Sequence, residues 1–203
     1  MVTVNPRPLF LIMENFIEQY ENALSEDLCS KIIEWFEESP HIQVQGNTIN
    51  DSGIEVVNLE LKDSVDIPVI FSGEEEVSKI ILSSLIECLQ QYKQKYPVLD
   101  NYIGPWNLSD NFNIQKYYPK GGYHREHCET GCAGQDRMMA WMLYLNTVDD
   151  KGGTEFPSYD LTIKAEVGKM VIWPAYWTHT HKGVSSPTET KYIATGWFEF
   201  IKE

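Results

Sequence analysis

The sequence predicts an α+β domain, in which a double-stranded β-helix (jelly-roll) core over residues 111–203 is supported by helices and short strands from residues 1–110. Two observations carry that prediction. The first hundred residues hold two amphipathic helical patterns, and from about residue 111 the chain becomes strand-like runs separated by Gly- or Pro-containing turns. At 203 residues, with 42% hydrophobic and 23% charged, the chain has the composition of one globular domain with a real core.

Ser25 followed by Glu26 and Asp27 reads as a helix N-cap with acids in the first turn. Leu28, Ile32, Trp35 and Phe36 then follow at helical spacing until Pro40 closes the segment. In the second helix Ser72 and Glu75 match a capping box, and Val77, Ile81, Leu85, Leu89 and Tyr92 form one apolar stripe. Lys93 and Lys95 suit its C-terminal end, and Pro97 stops it. Between the helices, residues 41–71 read as short strands and loops with turns near Gly46-Asn47 and Asp51-Ser52-Gly53, polar enough to form a flap over a site. The later strands are expected at Asn113–Tyr118, Arg137–Asn146, Leu161–Ala165, Lys169–Trp173 and Lys191–Ile201. Gly121-Gly122, Gly152-Gly153 and Ser186-Pro187 mark turns among them.

Sixteen basic against 30 acidic residues give a net charge of −14, which repels nucleic acid and anionic membrane. No stretch approaches a membrane span, and Pro6, Arg7 and Pro8 with the short apolar run Leu9–Met13 do not make a secretory leader. Cys29 and Cys88 fall in helical patterns and read as buried small hydrophobes. A cytoplasmic protein with reduced thiols is the expectation.

Four of the five histidines lie in the strand-rich half: His124, His127, His179 and His181. His41, after Pro40, reads as surface. On a strand, residues i and i+2 share a face, so His127 and Glu129 can bind one ion, with a histidine far downstream completing the set. Two imidazoles and a carboxylate on one face of an octahedral ion leave open positions, the arrangement of Fe(II) oxygenases. Two ambiguities stand at this level: His124-Arg125-Glu126 has the same His-x-Glu form, and His179 and His181 compete for the distal position. Downstream, Lys191, Ile193, Thr195 and Trp197 alternate onto one strand face. A lysine there is expensive to bury unless an anion meets it, and a dicarboxylate such as 2-oxoglutarate would supply one.

The run Tyr117-Tyr118-Pro119-Lys120-Gly121-Gly122-Tyr123, with His127-Cys128-Glu129, resembles the proximal-ligand segment of Fe(II)/2-oxoglutarate dioxygenases of the prolyl 4-hydroxylase type. Met142–Asn146, Gly152–Pro157 and Gly168–Trp173 are similar to the strands and turn that follow. His181-Lys182-Gly183 and Lys191–Trp197 resemble the distal histidine and the oxoglutarate-binding strand, so the likeness covers about residues 111–200. It implies His127, Glu129 and His181 as iron ligands and Lys191 and Tyr117 on the far carboxylate of 2-oxoglutarate, with Thr195 and Trp197 lining that pocket. It further implies O2 as cosubstrate, ascorbate (vitamin C) dependence, and hydroxylation coupled to release of succinate and CO2. The chain departs from the family pattern twice. Glu129 stands where aspartate is usual, and the stretch before His127 is one residue longer, leaving His124 as a candidate supporting group.

Tyr123, Arg125, Trp141, Trp173, Tyr176 and Trp177 could line a groove for a proline-bearing peptide or protein. The main alternative is a small-molecule hydroxylase acting on an amino acid or metabolite with the same fold. A non-catalytic jelly roll holding zinc through His124, His127, Cys128 or Cys132 leaves Lys191 unexplained, and Cys128 would point away from His127 on a regular strand.

Overall fold

The computed structural model describes residues 14–50, 52–73, 75–131 and 134–202. In chain order its elements are β1 (Glu18–Tyr20), α1 (Glu26–Glu37), β2 (Val44–Gln45), β3 (Thr48–Ile49), β4 (Glu55–Val56), β5 (Val65–Ile70), α2 (Glu76–Lys95) and α3 (Val98–Asn101). There follow β6 (Trp106–Tyr117), β7 (Arg137–Tyr144), β8 (Thr154–Phe156), β9 (Leu161–Ile163), β10 (Met170–Pro174), β11 (Lys182–Gly183) and β12 (Lys191–Phe200).

Ser25 caps α1 as expected, its side chain accepting from Leu28 N, and Pro40 opens a short 3-10 turn after the helix ends. The capping box does not form at α2. The helix starts after Glu75, which makes no side-chain cap bond, because the Ser72 hydroxyl donates to Asp110 Oδ2 on β6 instead. A tertiary acceptor here outcompetes the local one.

Seven strands form one antiparallel sheet in the order β1-β10-β7-β12-β6-β5-β2, and β11-β8-β9 form a smaller one. This is the jelly-roll core, with the helices laid on one face of the larger sheet. The two faces of β7 separate cleanly. Met139, Trp141 and Leu143 pack with Ile32, Phe36, Ile81 and Leu85 of the helices. Ala140, Met142 and Tyr144 face the other way, toward Phe156 and Ile163 of the small sheet. Trp141 is fully buried under Gly196, where an added Cβ would stand 2.8 Å from the indole, so the two strands approach only because that residue has no side chain.

The strand pattern extends further than local signals suggest. β6 begins at Trp106, and β5 joins the main sheet although the 41–71 segment reads as irregular. Pro68 is tolerated within β5 because β2 pairs only with Val65 and Asp66, leaving Pro68 on a free edge. β3 and β4 form a hairpin beside it, the flap of the sequence reading. No helix among the described residues is long and apolar enough to cross a membrane.

Candidate active site

A cavity of about 870 Å³ opens between the two sheets and runs from Lys191, Thr154 and Met142 at its floor, past His127, Glu129 and His181, to the β2–β4 flap. Its floor is made by strand alternation: Lys191, Ile193, Thr195 and Trp197 of β12 all line it, as the pattern of that strand requires.

The proximal ligand segment is not a strand. After β6 ends at Tyr117, residues 118–131 and 134–136 form turns, bends and isolated bridges, one of which joins His127 to His181 antiparallel. The two residues exchange both backbone bonds, at 2.9 and 2.8 Å, while Glu129 N donates to Ala175 O at 3.0 Å. Cross-chain pairing, rather than i, i+2 alternation, thus brings the side chains together. The ligand atoms of His127, Glu129 and His181 lie within 4.8 Å of one another, and no other such group of three occurs among the described residues.

The imidazoles are oriented for a cation. His127 Nδ1 lies 2.9 Å from Arg125 O and His181 Nδ1 2.9 Å from His179 O. A carbonyl only accepts, so each Nδ1 carries the hydrogen and each Nε2 lone pair faces the cavity. Burial, reinforced by the neighbouring His181, pushes His127 down to about 4, so the ring is neutral near pH 7, the form that binds metal. Glu129 Oε1 sits 3.1 Å from His181 Nε2 and 3.7 Å from His127 Nε2. Its other oxygen accepts from Trp197 Nε1 at 2.8 Å and lies 3.6 Å from Arg137 Nη1. Burial opposes ionisation of Glu129, but the close approach of His181, His127 and Arg137 outweighs it and holds the carboxyl well below its usual range. One carboxylate oxygen and two imidazole nitrogens converging on one point fit a divalent metal ion.

The ambiguities of the sequence resolve here. His179 sits in a 3-10 turn with Nε2 2.8 Å from Asn15 O, turned away from the cavity. His124 lies against Ser185 Oγ at 3.3 Å, and Cys128 Sγ donates to Thr130 O. Cys132 falls outside the described residues.

Lys191 is buried, and its ammonium donates to Gly152 O at 2.9 Å, with no carboxylate of the described residues paired to it. Gly152 turns in the left-handed region at φ 73° to present that carbonyl. Burial alone pushes the lysine down to about 8. Tyr117 packs its ring 5.0 Å from the ammonium, but its hydroxyl donates to Gln115 Oε1. Thr195 Oγ1 likewise donates to Trp141 O. Tyr123 stacks on His127 with ring centroids 3.8 Å apart and shares a hydrogen bond with Thr48 of the flap at 2.9 Å. Arg125 lines the cavity wall. Trp141 is not brought to the site, because it occupies the helix-facing side of β7. Trp177 is 77% exposed and lies outside the cavity.

Sequence reasoning missed three contributors. Arg137 opens β7 and reaches Glu129, and its only sequence signal is a charged residue at a strand start. Thr154, whose hydroxyl is bonded to that of Tyr144 at 2.7 Å, lines the cavity with Lys191, and both residues fall inside motifs that resemble the family. Lys62 and Asp66 form a buried ion pair at 2.6 Å in the cavity wall, within a segment whose pattern reads as irregular.

Residues 112–199 match the family model described as the 2OG-Fe(II) oxygenase superfamily. That match spans the strand-rich segment that carries the triad and Lys191. The chain's fold is similar to those of solved prolyl hydroxylases. The viral collagen prolyl hydroxylase of Paramecium bursaria Chlorella virus-1, solved as its 2OG complex, superposes with a TM-score of 0.66 at 20% identity, covering 92% of this chain and 97% of that one. A Pseudomonas putida prolyl-4-hydroxylase gives 0.67 at 16% identity, with coverage of 93% and 94%. The Trichoplax adhaerens prolyl hydroxylase, in complex with a hypoxia inducible factor peptide fragment, gives 0.67 at 14% identity, with coverage of 91% and 84%. No curated protein matches the chain by sequence. The chain thus has a prolyl 4-hydroxylase-like jelly roll, and its residues 112–199 are similar to the 2OG-Fe(II) oxygenases. The family implies Fe(II), 2-oxoglutarate and O2, and the His-Glu-His triad fits the iron.

Proposed function

We propose that the protein is an Fe(II)- and 2-oxoglutarate-dependent dioxygenase that hydroxylates a prolyl residue in a peptide or protein substrate, with 2-oxoglutarate converted to succinate and CO2. The observation that carries this reading is the pairing, in one cavity, of a convergent His-Glu-His triad with a buried lysine that has no acid of its own. In it, His127 Nε2, Glu129 Oε1 and His181 Nε2 hold Fe(II), and Lys191 binds the far carboxylate of 2-oxoglutarate. Thr154, held by the Tyr144 hydroxyl, and the Tyr117 ring line the same cavity. Metal and cosubstrate, when bound, supply the oxidant that turns a C–H bond into C–OH.

The chain's own residues orient and enclose. Backbone carbonyls set both imidazole tautomers. Tyr123 braces His127 and ties it to the flap, which excludes water from above. A cavity of about 870 Å³ has room beyond a five-carbon diacid. Exposed Val44, Ile54, Val57 and Leu59 along the flap offer an apolar rim to an extended chain. A peptide substrate is further supported by the peptide-bound Trichoplax relative. Ascorbate belongs to this reading as the reductant that keeps the iron ferrous. The free thiols of Cys29, Cys88 and Cys128 support a reducing, cytoplasmic setting.

The test is turnover with Fe(II), 2-oxoglutarate and O2 against a panel of proline-bearing peptides and free amino acids, following succinate and a one-oxygen mass gain. Hydroxylated peptide with inert amino acids is the expected result. Turnover confined to free amino acids or other metabolites would replace the prolyl reading with a small-molecule one.

A further inference from the structure

Glutamate offers a metal two oxygens on a long, rotatable arm. If both bound, Glu129 would take a position that a three-ligand facial site leaves open for cosubstrate or O2. The surroundings of Glu129 are not symmetric about its two oxygens. Oε1 faces the histidine Nε2 atoms at 3.1 and 3.7 Å. Oε2 is turned aside, accepting the Trp197 indole N–H at 2.8 Å with Arg137 Nη1 3.6 Å away. The two holders brace each other, since the Arg137 guanidinium lies 3.5 Å from the Trp197 ring centroid. Glu199 Oε1 lies 3.9 Å from Arg137 Nε, too far for a hydrogen bond, and Arg137 Nη1 reaches Glu129 O at 3.5 Å. The indole belongs to β12, the guanidinium to β7 and the carboxylate to the loop before β7, so the clamp draws on both paired strands.

We propose that Trp197 and Arg137 are positioning residues that commit Glu129 to one-oxygen ligation and so keep three positions on the bound metal free. Trp197 thereby acts through the metal ligand rather than by touching the cosubstrate. An indole donor is suited to this, because it can only donate and cannot itself ligate. Arg137, always charged, keeps Oε2 anionic and occupied even when the cavity fills. The inference rests on the metal reading of the triad above.

Its test uses Mn(II), a paramagnetic stand-in for Fe(II), without turnover. Longitudinal water-proton relaxation at saturating protein counts exchangeable waters on the bound ion, and the same titration yields the dissociation constant. Trp197→Phe keeps the ring that stacks on Arg137 and removes only the donor. The expected result is a fall of about one-third in relaxivity per bound Mn(II), from three open positions to two. Arg137→Met, which keeps the indole, gives a smaller fall and stands in if Trp197→Phe does not fold. A merely structural role would change melting temperature or metal affinity and leave relaxivity alone. Unchanged or raised relaxivity in the folded variants overturns the clamp. Failure of the wild-type protein to bind Mn(II) would instead strike the metal reading beneath it.

Discussion

Lys62 and Lys191 are equally buried, each 5% exposed, and line the same cavity, yet their electrostatic situations are opposite. Lys62 has its anion built in. Asp66 lies 2.6 Å away and is itself satisfied by Ser64 Oγ at 2.7 Å and Gln115 Nε2 at 3.1 Å. Among the described residues Lys191 has a carbonyl and the face of the Tyr117 ring, and no carboxylate. A buried charge costs several kcal/mol unless it is paired, so the first lysine is part of the fold's own stability and the second is held at its expense. Such an unpaired cation marks where a ligand's charge belongs, and the paired one marks a wall.

Breaking the wall gives the largest expected effect. Asp66→Ala leaves Lys62 buried and alone, and urea unfolding is expected to show a loss of about 3–5 kcal/mol. Lys62→Met in the same chain should restore most of it. If Asp66→Ala left stability intact but weakened 2-oxoglutarate binding, the pair would belong to the cosubstrate site and the contrast would collapse.

Breaking the binding cation acts the other way. Lys191→Ala is expected to weaken 2-oxoglutarate binding by about 100-fold or more, with unfolding stability unchanged or raised, because it removes a charge with no built-in partner. Anaerobic titration of the Fe(II)-loaded protein, followed by the weak visible charge-transfer band, measures the first half. Equal affinity in the variant and wild type would remove Lys191 from the site.

A pH series sharpens the contrast at a smaller scale. Burial pushes Lys191 down to about 8, so in the empty site the ammonium is present below that pH and lost above it. The charged form meets the carboxylate. Affinity is therefore expected to be flat below about pH 8 and to fall by about tenfold per unit beyond it, as a proton must be taken up on binding. Lys191→Arg, charged throughout this range, should bind without that dependence. A wild-type affinity that holds level to pH 10 would contradict the assignment.

What was legible in the sequence follows from how local each feature is. The capped start of α1 and the stripe of α2 are set within one or two turns. The Lys191–Trp197 face of β12 is set by strand alternation, which no partner can shift without turning every side chain over. The candidate ligands were legible as types, but the reason given for their meeting was not the operative one. His127 and Glu129 sit on a loop, and the backbone bridge to His181 gathers them. Choosing His181 over His179 needed that bridge as well, since the two alternate identically on paper.

Other features depended entirely on partners far along the chain. Ser72 left its capping box for Asp110, and β5 became a sheet member because β6 was there to pair with it. Trp141 and Trp197 come from the same aromatic-rich half, yet one supports the helices and the other holds Glu129. By itself, then, the sequence determined the two main helices, which face of β12 looks inward and which residue types could ligate a metal. Those are properties of neighbouring residues and of the periodicities 3.6 and 2. Only the tertiary structure decided which histidine joins Glu129, which of its oxygens is held by Trp197 and which buried lysine lacks an acid. Each of those depends on the register between distant strands, which no local preference encodes.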